Sequence, residues 1–189
     1  MSDFILLGAG GHAKALVEAI AELEGTIVAY IDPQPADWLN VRHETEETAV
    51  SPEDGSVITG IGGLSPTKLQ KRLEMLDRFL TRRFTANALI HPTAHVSASA
   101  VLAVGVSILA GAVIQPEAKI GRGVIINTNA TVEHDSVVGC GTHIAPGAIV
   151  LGDCRIGECC FIGAGAIVFQ GRSVPDGTFL PALSSYTGD

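Results

Sequence analysis

Charged and aromatic residues are both scarce in this chain. Only 17% of its residues are charged and 5% are aromatic, whereas 47% are hydrophobic. A sequence this apolar is too hydrophobic to be intrinsically disordered. Because aromatic rings are few, any core has to be built mainly from Val, Ile, Leu and Ala.

The chain also lacks the positive charge that a nucleic-acid surface requires. Twelve Lys and Arg residues stand against twenty Asp and Glu residues, which gives a formal net charge of −8. The one basic run, from Lys68 to Arg83, falls on a predicted helix, and we interpret it as a solvent-exposed face rather than a phosphate site. The balance of charge therefore argues against DNA or RNA as a partner.

Long hydrophobic runs and a secretory leader are missing as well. No stretch reaches the roughly 18 apolar residues that a membrane helix needs, and no basic or long apolar segment precedes the first strand. We expect a cytoplasmic protein without membrane insertion. The cysteines form no paired C-x-x-C pattern, which favours free buried thiols; they are Cys140, Cys154, Cys159 and Cys160.

Residues 1–85 alternate between strand and helix patterns. Strands are predicted at residues 4–7, 26–31 and 57–59, and a helix is predicted to begin at Ser65-Pro66 with an N-cap and a proline in its first turn. An earlier helix has an apolar face formed by Ala13, Leu16, Val17, Ile20 and Leu23. Residues 34–55 give no firm prediction. The alternation predicts a small α/β domain, Rossmann-like and βαβ in type, with a parallel sheet.

The second half has a period of six. Every sixth residue from Ile90 to Val174 is aliphatic. Most residues four positions later are small: Ala94, Ala100, Ala112, Ala118, Ala130, Ser136, Thr142, Ala148, Cys154, Cys160 and Ala166. This period is typical of a hexapeptide-repeat parallel β-helix, whose aliphatic side chains fill a triangular prism. We predict about five coils over residues 86–179, followed by a C-terminal tail at 180–189.

Several motifs give the chain a resemblance to a known family. They are Gly8-Ala9-Gly10-Gly11-His12-Ala13-Lys14, Ile90-His91-Pro92, and Ile126-Asn127-Thr128 leading to Val132-Glu133-His134-Asp135. Over residues 3–175 the chain resembles the left-handed β-helix sugar acyltransferases, the NeuD/PglD-like group of sialic acid O-acetyltransferases and UDP-4-amino-sugar N-acetyltransferases. The resemblance implies a left-handed coil, acetyl-CoA as acyl donor, and a homotrimer with active sites between subunits.

The predicted catalytic chemistry lies at Glu133-His134-Asp135. Acyl transfer from a thioester needs a base for the attacking amine or hydroxyl, and histidine titrates in the right range. A carboxylate on the other ring nitrogen would fix the tautomer. The resemblance implies that His134 is this base. The sequence leaves open whether Glu133 or Asp135 orients it, and an exposed turn histidine is the structural alternative.

The resemblance also implies contacts with acetyl-CoA. His143 would lie near the acetyl group, where it would hydrogen-bond the thioester carbonyl or help to bind the cofactor. The N–H of Gly152 would donate to the developing oxyanion, and Gly165 is predicted to contact acetyl-CoA. The alternatives are a packing histidine and simple turn glycines.

The first glycine loop follows a strand and precedes a helix. Gly8-x-Gly10-x-x-Ala13 approximates a dinucleotide fingerprint, in which backbone N–H groups approach phosphates, and this pattern alone suggests NAD. In the resembled family the same loop binds a sugar nucleotide. We therefore predict nucleotide-sugar contacts from Gly10, Gly11, His12 and Asp32, and from Gly60 and Gly62 of a second glycine loop.

The sequence thus predicts an acetyl-CoA-dependent N-acetyltransferase acting on a nucleotide-linked amino sugar in bacterial surface-glycan biosynthesis. Sugar or sialic acid O-acetylation, a metal-dependent hydratase and a non-catalytic scaffold are the alternatives. We predict no metal, because His91 and His95 lie at least two coils from His134, about 10 Å at strand spacing. Zinc ligands instead converge to about 2.1 Å from one ion.

Overall fold

The computed structural model describes residues 2–188, and its N-terminal part is a parallel sheet flanked by two helices. The elements are β1 (Asp3–Leu7), α1 (Gly11–Glu22), β2 (Thr26–Ile31), β3 (Arg42–Glu44), β4 (Ser56–Thr59) and α2 (Pro66–Thr81). The strand order is β3-β2-β1-β4, and every pairing is parallel. The predicted Rossmann-like domain is confirmed. β3 and two short 3-10 helices, Glu47–Ala49 and Pro52–Asp54, occupy the segment that gave no prediction.

Both helices are amphipathic, as their spacing predicts. In α2 the Ser65 hydroxyl accepts from the Lys68 N–H, and Pro66 stands in the first turn. The buried face of α1 consists of Ala13, Leu16, Ala19 and Ile20. Leu23 was predicted to join this face but follows the last helical residue and is 47% exposed. Burial of these aliphatic faces, at about 25 cal/mol per Å² of apolar surface, holds the helices on the sheet.

Arg72 contradicts the interpretation of the basic run as a solvent-exposed face. Its side chain is 1% exposed, and its guanidinium donates to the main-chain carbonyls of Gly62, Gly123 and Gly141. The reason is its position in the helix, since it shares the face of the buried Leu69 and Leu76 at helical spacing. A count of the charged residues in the run does not show which of them is buried.

The C-terminal part is a parallel β-helix of two-residue strands. They are β5 (Leu89–Ile90), β6 (His95–Val96), β7 (Val101–Leu102), β8 (Ser107–Ile108), β9 (Val113–Ile114), β10 (Lys119–Ile120), β11 (Ile125–Ile126), β12 (Thr131–Val132), β13 (Val137–Val138), β14 (His143–Ile144), β15 (Ile149–Val150), β16 (Arg155–Ile156), β17 (Phe161–Ile162), β18 (Ile167–Val168), β19 (Ser173–Val174), β20 (Phe179–Leu180) and β21 (Ser185–Tyr186). Each pairs in parallel with the strand three places along the chain, so one coil contains three strands.

Three sheets form the faces of the prism. Face 1 comprises β5, β8, β11, β14, β17 and β20; face 2 comprises β6, β9, β12, β15, β18 and β21; face 3 comprises β7, β10, β13, β16 and β19. The aliphatic ladder fills the interior between them, as predicted. The N-terminal domain packs on face 1, where the outward-facing Leu89, Ser107 and Ile125 are buried.

The β-helix continues beyond the predicted end at residue 179. β20 pairs with β17, and β21 pairs with β18, so most of the predicted tail at 180–189 belongs to the coil. Leu180 and Tyr186 extend the six-residue ladder inward. The Tyr186 hydroxyl donates to the Ser173 carbonyl at 3.1 Å. An aromatic residue at the last step explains why an aliphatic pattern missed it.

The corners of the coil impose a left-handed backbone conformation at every sixth residue from Gly105 to Leu183. Most of these positions are glycine, the residue that adopts it without steric cost. Asp135 is an exception with φ 61°. An L-residue there costs roughly 1–2 kcal/mol, so the stacked coils must hold Asp135 in place.

Two further expectations concern the cysteines and membrane-spanning helices. All four cysteines are free; Cys140 is partly exposed and the other three are buried, as predicted for structural thiols. Within residues 2–188 no helix combines the length and the hydrophobicity that crossing a bilayer would demand.

Candidate active site

His134 lies at the corner between β12 and β13, where faces 2 and 3 meet. Its side chain is 52% exposed, and its Nδ1 lies 2.8 Å from Oδ2 of Asp135. Of the two carboxylates that the sequence left open, Asp135 rather than Glu133 makes this hydrogen bond. A carboxylate oxygen can only accept, so Nδ1 carries the proton and Nε2 is the free base of a neutral ring.

The surroundings of His134 make it more basic. The hydrogen bond that His134 donates to Asp135 raises the pKa of His134, and the negative charges of Asp135, Glu133 and Asp153 add to this effect. Asp153 occupies the same corner one coil along the β-helix, as the pairing of β12 with β15 requires. The corner therefore presents an imidazole whose charged form is stabilised by several carboxylates.

Gly152 lies directly under the His134 ring. A Cβ atom at residue 152 would come within 2.7 Å of both Nε2 and Cε1 of His134. A side chain there would push the ring out of its present position. Within residues 2–188 the Gly152 N–H has no hydrogen-bond acceptor among main-chain groups. Gly152 thus adjoins the ring and has an N–H without a main-chain acceptor, the kind of group that can donate to an oxyanion.

His143 lies on face 1, on β14, and is 3% exposed. Its Nδ1 donates to the carbonyls of Gly62 and Gly63 at 3.1 and 3.2 Å, and its Nε2 lies 3.0 Å from Nδ2 of Asn127. The Thr128 N–H donates to Oδ1 of Asn127 at 2.8 Å and so fixes the orientation of the amide. Both neighbours therefore select the neutral ring with the proton on Nδ1.

This geometry bears on the predicted role of His143. Both ring nitrogens are hydrogen-bonded within the chain, so a bond from His143 to a thioester carbonyl would require one of these bonds to break. Contact between His143 and acetyl-CoA stays a prediction.

A cavity of about 490 Å³ lies between the N-terminal domain and face 1. Its lining includes Gly11, His12, Gly62, Asn127, His143 and Phe161. Burial, followed by the nearby charges of His143 and Arg72, lowers the pKa of His12 to about 3. Among the described residues, Nε2 of His12 is shielded from solvent without a hydrogen-bond partner. An unpartnered polar atom in a mainly apolar cavity is suited to contact a ligand.

A second cavity, of about 410 Å³, lies on the other side of the first glycine loop. Ala9, Gly10, Asp32 and Trp38 line it. The Asp32 carboxylate accepts from the N–H groups of Ala9 and Gln34 at 2.9 and 3.0 Å, so it braces the loop. The Trp38 indole donates to the Ala9 carbonyl at 3.1 Å.

The predicted nucleotide-sugar residues therefore divide between two cavities. Gly10 and Asp32 line one, whereas Gly11, His12 and Gly62 line the other. Since Gly10 and Gly11 are consecutive, the two cavities adjoin at the loop. Their role in binding stays a prediction.

Gly60 and Gly165 lie apart from both cavities. A Cβ at Gly60 would come within 2.0 Å of the Gly8 carbonyl oxygen, so its absence lets the two glycine loops approach each other. Gly165 has φ 65° and lies at the corner between faces 1 and 2, covered by Leu183. The structure does not bring Gly165 close to Gly152, which lies at another corner.

Two residues of the cavity region were missed by the sequence-based assignment. Asn127 lies in the Ile126-Asn127-Thr128 motif but was assigned no role. Its side-chain Nδ2 donates to Nε2 of His143 at 3.0 Å. Phe161 packs edge-on against His143 with ring centroids 5.3 Å apart. Its signal was available, because it lies one coil after His143 at the same position of the repeat. Within residues 2–188 no three His, Cys, Asp or Glu side chains converge as a metal site would require.

The buried His143 predicts a loss of stability in acid. Burial, followed by the charge of Arg72, lowers the pKa of His143 to about 4. The unfolded chain, with a histidine pKa near 6.5, binds the proton first, so stability is complete above about pH 6.5 and falls as the pH drops toward 4. We expect a loss of roughly 1–2 kcal/mol from this residue by pH 5.

Urea unfolding at pH 7 and pH 5 measures this loss. His143→Gln should show a smaller decrease between the two pH values than the unchanged protein, whereas His95→Gln, at an exposed histidine, should keep the full decrease. An equal decrease in all three proteins would contradict the assignment.

Comparisons with known proteins agree with this architecture. Residues 3–75 match the PglD N-terminal domain family, and residues 135–170 match the bacterial transferase hexapeptide family (six repeats). A search of curated proteins finds no significant match.

Solved structures are similar over nearly the whole chain. The acetyltransferase domain of PglB from Neisseria gonorrhoeae is 33% identical with a TM-score of 0.92, and the match covers 100% of this chain and 93% of that one. The same domain in complex with acetyl coenzyme A matches 96% of this chain and 88% of that one, with a TM-score of 0.88. PerB from Caulobacter crescentus, in complex with CoA and GDP-perosamine, is 29% identical with a TM-score of 0.88, covering 100% and 90%.

The identity and coverage of the PglB domain, together with the two family matches, identify the fold as a Rossmann-like βαβ domain followed by a left-handed β-helix. The chain therefore belongs to the PglD/PglB-type family of hexapeptide-repeat acyltransferases.

Proposed function

We propose that this protein transfers an acetyl group from acetyl-CoA to the amino group of a nucleotide-linked amino sugar, with His134 as the general base. The observation that carries the proposal is the His134–Asp135 pair lying over Gly152. The bound acetyl coenzyme A of the PglB domain and the bound CoA and GDP-perosamine of PerB support the choice of substrates. We further propose a cytoplasmic role in bacterial surface-glycan biosynthesis.

The reaction follows from the groups at this corner. The sugar amine attacks the thioester carbonyl and a C–N bond forms, while Nε2 of His134 accepts the proton that the amine loses. The Gly152 N–H donates to the oxyanion of the tetrahedral intermediate. Collapse of the intermediate breaks the C–S bond, and the protonated His134 returns its proton to the departing thiolate. Asp135 keeps Nδ1–H in place throughout.

The two cavities beside the first glycine loop are suited to the acceptor. The N-terminus of α1 begins at this loop, where backbone N–H groups and the helix dipole favour a diphosphate. The cavity with Trp38 would take the nucleoside end, and the cavity with His12 would take the sugar. The unpartnered Nε2 of His12 then provides one hydrogen bond to the sugar.

A complete site needs two copies of the chain. His134 lies at the corner between faces 2 and 3, whereas the sugar cavity lies over face 1. In a triangular prism that corner is opposite face 1, so the base and the cavity of one chain point away from each other. A neighbouring copy that sets its corner against this cavity would complete the site, which supports the homotrimer with active sites between subunits.

Subunit mixing tests the shared site. We expect His134→Ala to lose at least 99% of its activity, about a 10²-fold loss or more, and a variant with a blocked cavity, Gly62→Trp, to lose activity as well. When the two variants are co-expressed, a fraction of the interfaces combines an intact His134 with an intact cavity, and activity should return. Sustained inactivity of verified mixed assemblies would contradict a site formed by two chains.

The pH dependence of kcat/KM tests the role of Asp135. His134 must be neutral to act as a base, so the rate falls as the pH drops through its pKa. Because Asp135 raises that pKa, Asp135→Asn should move the acid limb to lower pH and should reduce the plateau roughly tenfold by freeing the ring. Glu133→Gln is the matched control, since Glu133 acts only through its charge and should give a smaller shift. An equal shift in the two variants would argue against Asp135 as the orienting group.

A further inference from the structure

Arg72 is a buried cation whose partners are all main-chain groups. Within residues 2–188 its guanidinium donates only to carbonyl oxygens, those of Gly62, Gly123, Gly141 and, at 3.5 Å, Thr142. Burial lowers the pKa of Arg72 to about 10, so the group remains charged near neutral pH. A buried charge without a paired carboxylate is costly, and simple packing of α2 would be served by an aliphatic residue.

The partners of Arg72 belong to two different parts of the fold. Gly123 and Gly141 stand on successive coils at the corner between faces 3 and 1, and they accept from Nη2 at 2.8 and 2.7 Å. Gly62 belongs to the second glycine loop of the N-terminal domain and accepts from Nη1 at 2.9 Å. The rigid, planar guanidinium therefore sets the position of this loop relative to the β-helix.

The second glycine loop is attached to β1 by the Gly60 N–H, which donates to the Leu7 carbonyl at 2.7 Å. Gly62 and Gly63 have no side chains, and a Cβ at Gly62 would come within 3.3 Å of Cβ of His12. The loop is also the acceptor for His143, because Nδ1 of His143 donates to Gly62 and Gly63. The Gly62 carbonyl is thus shared between Arg72 and His143.

We propose that Arg72 is a positioning residue for the acetyl transfer: by clamping the Gly62 carbonyl to the coil, it holds His143 in its Nδ1–H tautomer and gives the sugar cavity its shape. The inference rests on the proposed function for its kinetic part only. The state of the His143 ring is measurable without any substrate.

Nitrogen NMR of histidine-labelled protein provides the direct test. In the unchanged protein one His143 ring nitrogen is protonated and the other is not, so their two chemical shifts should be well separated. We call this separation the His143 signature. In Arg72→Met these shifts should move toward each other, as exchange between tautomers begins. Arg72→Lys keeps the charge but not the planar guanidinium, so it should give an intermediate result. This variant also provides the test if Arg72→Met does not fold.

Kinetics with acetyl-CoA and GDP-perosamine or UDP-linked amino sugars provide the second readout. We expect Arg72→Met to lower kcat/KM roughly 10- to 100-fold, as a misplaced site group does, with partial rescue in Arg72→Lys.

Arg82→Met is the matched control. Arg82 follows α2 and also donates to main-chain carbonyls, those of Glu47 and Val50 at 2.8 Å, but it lies away from the sugar cavity. This variant should lose thermal stability without a change in the His143 signature or in kcat/KM.

Two results would overturn the proposal. One is an unchanged His143 signature in a folded Arg72→Met or Arg72→Lys protein. The other is the same signature change in Arg82→Met, which would mean that general loosening of the domain is the cause. If no sugar nucleotide is acetylated by the unchanged protein, the proposed function fails, but the His143 signature still decides whether Arg72 positions the ring.

Discussion

His134→Ala is expected to lower kcat/KM by about 10²- to 10⁴-fold, the usual contribution of a general acid–base group. The side chain is half exposed and stands at a corner of the coil, so its removal leaves the core intact. Thermal unfolding of the variant should therefore match that of the unchanged protein. The rate loss should be greatest at high pH, where the neutral imidazole of the unchanged protein is fully available.

His95→Ala is the control for this substitution. His95 is another exposed histidine of the β-helix, on β6 of face 2, and it has no partner resembling Asp135 among the described hydrogen bonds of residues 2–188. Its removal should leave kcat/KM within about twofold, as expected for surface positions away from the site. Full activity of His134→Ala, or an equal loss in His95→Ala, would refute the assignment of the base.

Gly152→Ala is expected to lower kcat/KM about 10²-fold with little change in stability. The new Cβ would lie within 2.7 Å of the His134 ring, and the exposed ring can move away into solvent. The fold is then preserved, but Nε2 leaves its position and the Asp135 bond is weakened; a displacement of about 1 Å is enough for such a loss. NMR titration should accordingly find a lower pKa for His134 in this variant.

Gly177→Ala is the control for Gly152→Ala, because it adds a Cβ atom at a corner of the coil without displacing His134. Gly177 stands at another corner with φ 65°, and an added Cβ would have only Pro66 nearby, at 3.8 Å. The substitution should cost about 1 kcal/mol of stability through backbone strain and leave kcat/KM unchanged. A Gly152→Ala protein with normal activity would exclude the proposed position of the base over Gly152.

The repeat itself was the most predictable part of the molecule. A six-residue ladder from Ile90 to Val174 determines which side chains point inward, because the pairing of each strand with the third strand along keeps the register constant. The proximity of His134 and Gly152 follows from the same register, since the two residues occupy equivalent positions one coil apart. Leu180 continues the same aliphatic pattern and should have been included, whereas Tyr186 at the following step was missed because it is aromatic.

Contacts between the two domains were not predictable from local patterns. Arg72 looks like part of a charged helical face, and only the docking of α2 against the corner of the coil reveals that it is buried. The tautomer of His143 likewise depends on Gly62 and Asn127, which lie far from it in the sequence. Such contacts are set by three-dimensional packing rather than by periodicity.

The separation of His134 from the cavity that we propose for the sugar was also not predictable from the sequence. In the sequence, His134 and His143 are only nine residues apart, which suggests that they belong to a single site. In the structure they project from a corner and from the opposite face of the prism. This arrangement is why a second copy of the chain enters the proposed function.

Acetyl transfer itself is tested most directly by measuring thiol release from acetyl-CoA in the presence of nucleotide-linked amino sugars, with mass spectrometry of the sugar product. The proposed function predicts thiol release that depends on both substrates and on His134, and a sugar nucleotide that has gained one acetyl group on nitrogen. The absence of thiol release with every nucleotide-linked amino sugar, or release that persists undiminished in His134→Ala, would contradict it.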